Sequence, residues 1–173
     1  MMENYAFIGA VILVLLLLSA CTPSPPDDYL LRMKDIERSG FGEISDYKRS
    51  NTSPPGVESQ ETTSVTIKDK NASFGSQIIQ YHTRKESKNI FELSTQSFNE
   101  TDFAMEKNIS IGEKGIIYRI DLGDSSIFYL LFYKDKSFVS LTLNYAKEED
   151  EKELIGIART IEKRLNASDV GTT

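Results

Sequence analysis

Residues 126–133, Ser-Ile-Phe-Tyr-Leu-Leu-Phe-Tyr, are apolar on both sides when drawn out as a strand. Phe128, Leu130 and Phe132 point one way, and Ile127, Tyr129, Leu131 and Tyr133 the other, because strand side chains alternate. Such a strand belongs in the middle of a sheet with both faces at least partly covered. Its neighbours fit that setting. "KGIIYRID" precedes it, and "FVSLTLNY" follows a "KDKS" turn and places Val139, Leu141, Leu143 and Tyr145 on one side. The cover for one face is legible further on, in "EEDEKELIGIARTIEKRL". Leu154, Ile157, Ala158, Ile161 and Leu165 form one helical stripe, with acids at the N-terminal end and Lys163 and Arg164 near the other. A helix buried along one stripe after a run of strands predicts an α+β fold.

Upstream the pattern is weaker. Asp28 to Ser39 reads as a short helix stopped by Gly40, "FGEISDY" as an edge strand, and "KRSNTSPPGVESQET" as an exposed loop. From Thr62 the period is two, through Val65 and Ile67. "GSQIIQYHTR" and "NIFELSTQSF" are predicted to form a hairpin across "KESKN". The expected architecture is an antiparallel β-meander packed against a C-terminal helix, with a short N-terminal helix. If the C-terminal helix covers the Phe128 side, the Tyr129 side needs the N-terminal helix, a partner or a ligand. Tyr118, Tyr129, Tyr133 and Tyr145 lie on neighbouring strands, and tyrosine combines contact area with a polar tip, so these residues either rim the core, as half-buried strand tyrosines commonly do, or form a binding face.

The beginning of the chain carries an address. Ala6 to Leu18 is an apolar run of thirteen residues, short of the roughly twenty that a bilayer-spanning helix needs, but suited to the core of an export signal. Leu18-Ser19-Ala20-Cys21 resembles the lipobox of prokaryotic lipoproteins, which implies cleavage before Cys21 and a lipid on its thiol. Cys21 is the one cysteine in the chain, so no internal disulfide is available and the fold rests on its apolar core. Residues 1–20 are thus expected to be a signal peptide, 21–27 a proline-stiffened tether, 28–166 a single domain and 167–173 a disordered tail. The site of action would be the outer face of the cytoplasmic membrane. Removing the first 20 of 173 residues takes away one charge, Glu3, and leaves a net charge near −5. A mildly acidic chain with interspersed signs has no footprint for nucleic acid.

Five of the eight asparagines, Asn51, Asn71, Asn99, Asn108 and Asn166, stand in Asn-X-Ser/Thr acceptor sites. About one or two such matches would arise by chance, and the excess suggests glycan attachment. On the predicted map all five fall in connections. A lipobox together with many such sites looks most like an archaeal surface lipoprotein.

The residues offer little chemistry. His82 is the sole histidine, so no histidine-rich metal site or Ser-His-acid arrangement arises except around it. "DLGDSS" is too sparse in oxygen ligands for a calcium loop. "GDSS" lacks the glycine-flanked serine of a nucleophile elbow, and "KEEDEKE" reads as a solvated helix start. No catalytic residue, metal or cofactor is expected.

The order of elements, with "SGF" after the first helix, "IGEKGIIY", "SSIFYLLFYKDKSFVSLTL" and "LIGIARTIEKRL", resembles exported domains of the PsbP-like and LpqN-like α/β-sandwich group over roughly Asp28 to Leu165. The resemblance implies a non-enzymatic accessory or binding module and assigns no functional residue. The leading expectation is a lipid-anchored extracytoplasmic binding module, its partner an envelope protein or a small apolar ligand. A passive glycosylated envelope or adhesive component is the alternative, and a surface hydrolase comes third.

Overall fold

The computed structural model describes residues 30–99 and 104–169. The expected signal peptide, Cys21 and the expected tether lie outside the described residues. The described chain runs α1 (Met33–Glu37), β1 (Ile44–Thr52), β2 (Ser59–Ile67), a 3₁₀ turn (Lys68–Lys70), β3 (Ala72–Gln80), α2 (Arg84–Asn99), β4 (Ala104–Ile109), β5 (Lys114–Asp121), β6 (Ser126–Lys134), β7 (Ser137–Ala146) and α3 (Asp150–Asp169). All strands join one antiparallel sheet in the order β1-β2-β3-β7-β6-β5-β4. The fold is α+β. The expected single meander is two meanders, β1–β3 and β4–β7, that meet where β3 pairs with β7.

β6 lies between β5 and β7, and its two apolar sides feed two cores. On the first face Phe128, Leu130 and Phe132 pack with Val139, Leu141 and Leu143 of β7, Phe74 of β3 and Val65 of β2, beneath Leu154, Ile157, Ala158, Ile161 and Leu165 of α3. That stripe is fully buried, as the helical spacing predicts. Leu31, Ile36 and Phe41 around α1 extend the same core.

The second face is covered by α2, whose stretch "NIFELSTQSF" was expected to be a strand. Two local features make it helical. Thr83 and Glu86 form a reciprocal N-terminal cap: the Glu86 amide donates to the Thr83 hydroxyl at 3.3 Å, and the Thr83 amide donates to the Glu86 carboxylate at 2.8 Å. The inward positions then recur at helical spacing as Ser87, Phe91, Thr95 and Phe98. Two of these four are hydroxyl residues, so the apolar periodicity is broken in the sequence. Ser87 is fully buried and its hydroxyl meets the carbonyls of Arg84 and Asp135. The Thr95 hydroxyl donates to the Glu92 carbonyl at 2.9 Å. Neither leaves an unpaired polar group in the core.

Smaller departures have equally local causes. α1 starts at Met33 rather than Asp28, because Leu30 to Arg32 are held by side chains from elsewhere. The Glu61 carboxylate of β2 accepts from the Leu30 and Leu31 amides at 2.8 and 3.0 Å. Arg164 of α3 donates to the Leu30 carbonyl at 2.6 Å and to both oxygens of Asp35 at 2.7 and 2.8 Å. β1 runs on to Thr52 and β2 begins at Ser59, so the expected loop narrows to residues 53–58. Tyr145 has a φ of 57° and sits in a bulge, since Ser126 pairs with Ala146 but Phe128 with Leu143. The extra residue turns Tyr145 out of the face it was expected to share with Leu141 and Leu143, and Ala146 takes its place in the core. At the chain's end α3 continues to Asp169, so residues 167–169, expected in a disordered tail, are helical. In the acidic cluster before α3, Asp150 is buried and paired with Lys70 rather than solvated.

Candidate binding face

Two of the four tyrosines, Tyr118 and Tyr133, are core, Tyr129 is half-buried at the core's margin, and Tyr145 is exposed. Tyr118 is buried at the centre of the α2 core, stacked on Phe98 at 4.7 Å. Its hydroxyl donates to the Thr95 carbonyl at 3.4 Å, and burial, with Glu106 nearby, pushes its pKa up to about 12. Tyr133 is buried against Phe91 at 5.2 Å. Tyr129 is half-buried beside Phe98 at 4.8 Å, and burial raises its pKa. Tyr145 is exposed and stands apart from the other three. The cover that this side needed is α2, supplied by the chain itself.

α2 rests on β6 and β7, and its core takes in little of β1, β2 and β3. Among the described residues this leaves much of the β1–β2–β3–β7 half of the same face bare, and register places its side chains in rows across the strands. One row runs Lys48, Ser64, Gly75, Thr142 and reaches Tyr129; the next runs Ser50, Thr62, Gln77, Ser140. A third runs Ser45, Thr66, Ser73, Asn144. Of the side chains that ladder pairing places on this half, Lys48 alone carries a charge. In these three rows the others are hydroxyls and carboxamides, around one glycine; a fourth row on the same side, Thr52, Gln60, Ile79 and Phe138, is buried.

Two cross-strand bonds hold the floor in place. The Ser50 and Thr62 hydroxyls lie 2.7 Å apart, and the Asn144 carboxamide donates to the Ser73 hydroxyl at 3.0 Å. Between these pairs lies Gly75, in the middle of an inner strand. A glycine there costs roughly 0.5–1 kcal/mol relative to alanine. A Cβ at 75 would meet nothing nearer than the Thr63 carbonyl at 3.9 Å, an ordinary contact, and Gly75 has no positive φ. Neither packing nor backbone conformation requires glycine at this position. Along one side of the floor Phe98 and Tyr129 make a low aromatic wall.

In the sequence these rows were legible only as the polar half of each alternation, which any solvated strand shows. That three polar alternations align into one flat patch depends on register and on where α2 stops.

Asn51 is half-buried inside β1, paired with Glu61 and not in a loop; Asn71 is exposed in the turn before β3 with a φ of 49°. Asn108 is exposed on the edge strand β4, and Asn166 is exposed on α3 rather than beyond it. Asn99 ends α2, and its side chain lies outside the described residues. His82 is exposed, 3.7 Å from Glu58. Among the described residues no group of three or more His, Cys, Asp or Glu side chains converges as a metal site, and no helix is long and apolar enough to cross a membrane. A groove of about 350 Å³ between α1 and α3 is lined by Asp35, Arg38, Glu153 and Gly156, but Asp35 is already engaged by Arg164.

In comparison with known proteins, the chain matches no family model and no curated protein sequence.

Proposed function

We propose that this protein is a lipid-anchored extracytoplasmic binding or accessory module, without catalytic activity of its own, that presents the bare half of its sheet to its partner. The observation that carries this reading is that half-face: three rows of side chains across four adjacent strands, polar and neutral but for Lys48, held by two cross-strand hydrogen bonds, with a glycine that packing and backbone conformation do not require. The Leu-Ser-Ala-Cys stretch ending at Cys21 supports the address. The exposure of Asn71, Asn108 and Asn166 favours a second reading, a glycosylated envelope component, compatible with the first because none of the three belongs to the bare rows.

The single cysteine makes occupancy of the face measurable, since a lipidated Cys21 leaves no competing thiol. Ser64→Cys puts a unique thiol on the exposed floor. Its reaction with a maleimide should be at least several-fold slower on intact cells than on the purified protein in detergent, whereas a cysteine at exposed Lys163 should react alike in both. Equal rates at position 64 would remove the binding-face reading. Failure of the Cys21→Ser variant to incorporate labelled lipid is the matching result for the anchor, and normal incorporation would remove it.

A further inference from the structure

We infer that the bare half of the sheet binds an extended chain of neutral sugar, a polysaccharide strand lying across β2, β3 and β7; this rests on the binding-face reading above. The chemistry of the floor narrows the partner. Serine and threonine hydroxyls both donate and accept, and the carboxamides of Gln77 and Asn144 offer one acceptor and two donor hydrogens each. A sugar presents the same mixture of donors and acceptors in every ring, so pairing needs no fixed polarity. A polyanion such as nucleic acid needs a cluster of Lys or Arg, and this floor has Lys48 alone, at its β1 margin. An acidic or basic peptide would find no complementary charge.

A folded protein partner is a poor match as well. Protein interfaces are depleted in serine, and their energetic centres in serine and threonine, in favour of Trp, Tyr and Arg. Here Ser64, Ser140, Thr62 and Thr142 occupy the middle of the patch. An apolar ligand would find no apolar side chain in these three rows on β1, β2, β3 or β7.

Shape points the same way. Gly75 opens a flat spot between Ser64 and Thr142, its register partners on either side. Glycine inside a strand marks places where another group approaches the backbone closely, and among the described residues only the Thr63 carbonyl comes within 4 Å of its Cβ position. Thr142 is followed in the same row by Tyr129, whose ring, tilted against Phe98, offers an apolar surface with a polar tip to the C–H side of a sugar ring. The floor is also prepared in advance, since the Ser50–Thr62 and Ser73–Asn144 bonds fix side chains that would otherwise lose freedom on binding.

The test uses the full chain purified in detergent, run on native gels cast with a soluble β-glucan, an α-glucan, a mannan, a polygalacturonate or no polymer. At least one neutral polymer should retard the protein strongly, and the polyanion should not. Gly75→Thr fills the flat spot with a residue suited to strands, so it should keep or raise the melting temperature while weakening retardation about tenfold. Ser64→Ala with Thr142→Val, which removes hydroxyls at nearly constant volume, gives a second measure if Gly75→Thr folds poorly. Absence of retardation by all three neutral polymers, stronger retardation by the polyanion, or full retardation of both variants would overturn the inference. Protection of position 64 on cells without retardation by any neutral polymer would leave the binding face standing and remove the sugar; loss of both removes both.

Discussion

At Gly112 the backbone sits at a φ of 64°, and an added Cβ would press into the Tyr133 carbonyl and the Phe132 ring. Three residues on, a Cβ at Gly115 would come within 2.9 Å of the Ile111 carbonyl. The "IGEKG" stretch therefore needs both glycines to turn β4 tightly into β5. The turn is fastened to the last helix as well, because the Gly112 amide donates to the Glu162 carboxylate at 2.7 Å. Gly112→Ala adds positive-φ strain to a backbone clash and should destabilise the domain by about 3 kcal/mol. In a domain of this size that is a melting temperature lower by roughly 10 °C, readable by circular dichroism. An unchanged melting temperature would mean that the turn relaxes freely. Gly75 is the contrast: it is also a glycine in the sheet, but one without a conformational or packing reason.

Among the elements, α2 separates what pattern can tell from what it cannot. α3 was legible because its inward positions are all aliphatic, and β6 because both of its sides are apolar. α2 was misread because Ser87 and Thr95 occupy inward positions while the apolar Leu93 is 60 % exposed, which breaks the helical stripe. The signal that could have corrected it is the Thr83–Glu86 capping pair, three residues apart at the start of the segment. The pairing of β3 with β7 was beyond reach, since it joins residues far apart in sequence and follows from where α2 carries the chain. The candidate site suffered from the same error: with α2 taken for a hairpin, the tyrosines looked uncovered, and the floor that is in fact bare looked like ordinary solvated strand. Phe91 is fully buried between α2 and the sheet. Phe91→Ala should therefore cost about 3–5 kcal/mol in chemical denaturation, and Leu93→Ala less than about 0.5 kcal/mol. Equal effects would place α2 elsewhere.

For the whole molecule, acid stability should carry two opposed contributions. Burial raises the Glu61 carboxyl above its ordinary 4.5 despite the two amides it accepts. Its charge is a cost to the fold above that raised value, and the cost is relieved as pH falls through it. Burial also pushes Asp35 up, but its hydrogen bonds from Arg164 and the Arg32 amide outweigh this and bring it below 3.8. Glu113 likewise ends below 4.5 through Arg84 and the Asp135 amide, against its own burial. These two contribute stability that is complete above their ordinary values and lost as pH falls through the lowered ones. Thermal melts from about pH 7 downward should rise slightly, then fall below about pH 4. Glu61→Gln should remove the rise and keep the fall, and a monotonic decline in both proteins would contradict the assignment. The same residues bear on how the domain is held. Under the proposed anchorage, a pull from the membrane passes through Leu30 and Leu31, whose amides are held by Glu61 of β2, while the Leu30 carbonyl is held by Arg164 of α3. β2 is an inner strand, paired on both sides, so tension is delivered into the body of the sheet and the C-terminal helix together. Drag on a ligand held across the floor would then be resisted by the seven-pair and nine-pair ladders on either side of β2 loaded together, not by an edge strand peeled away one bond at a time.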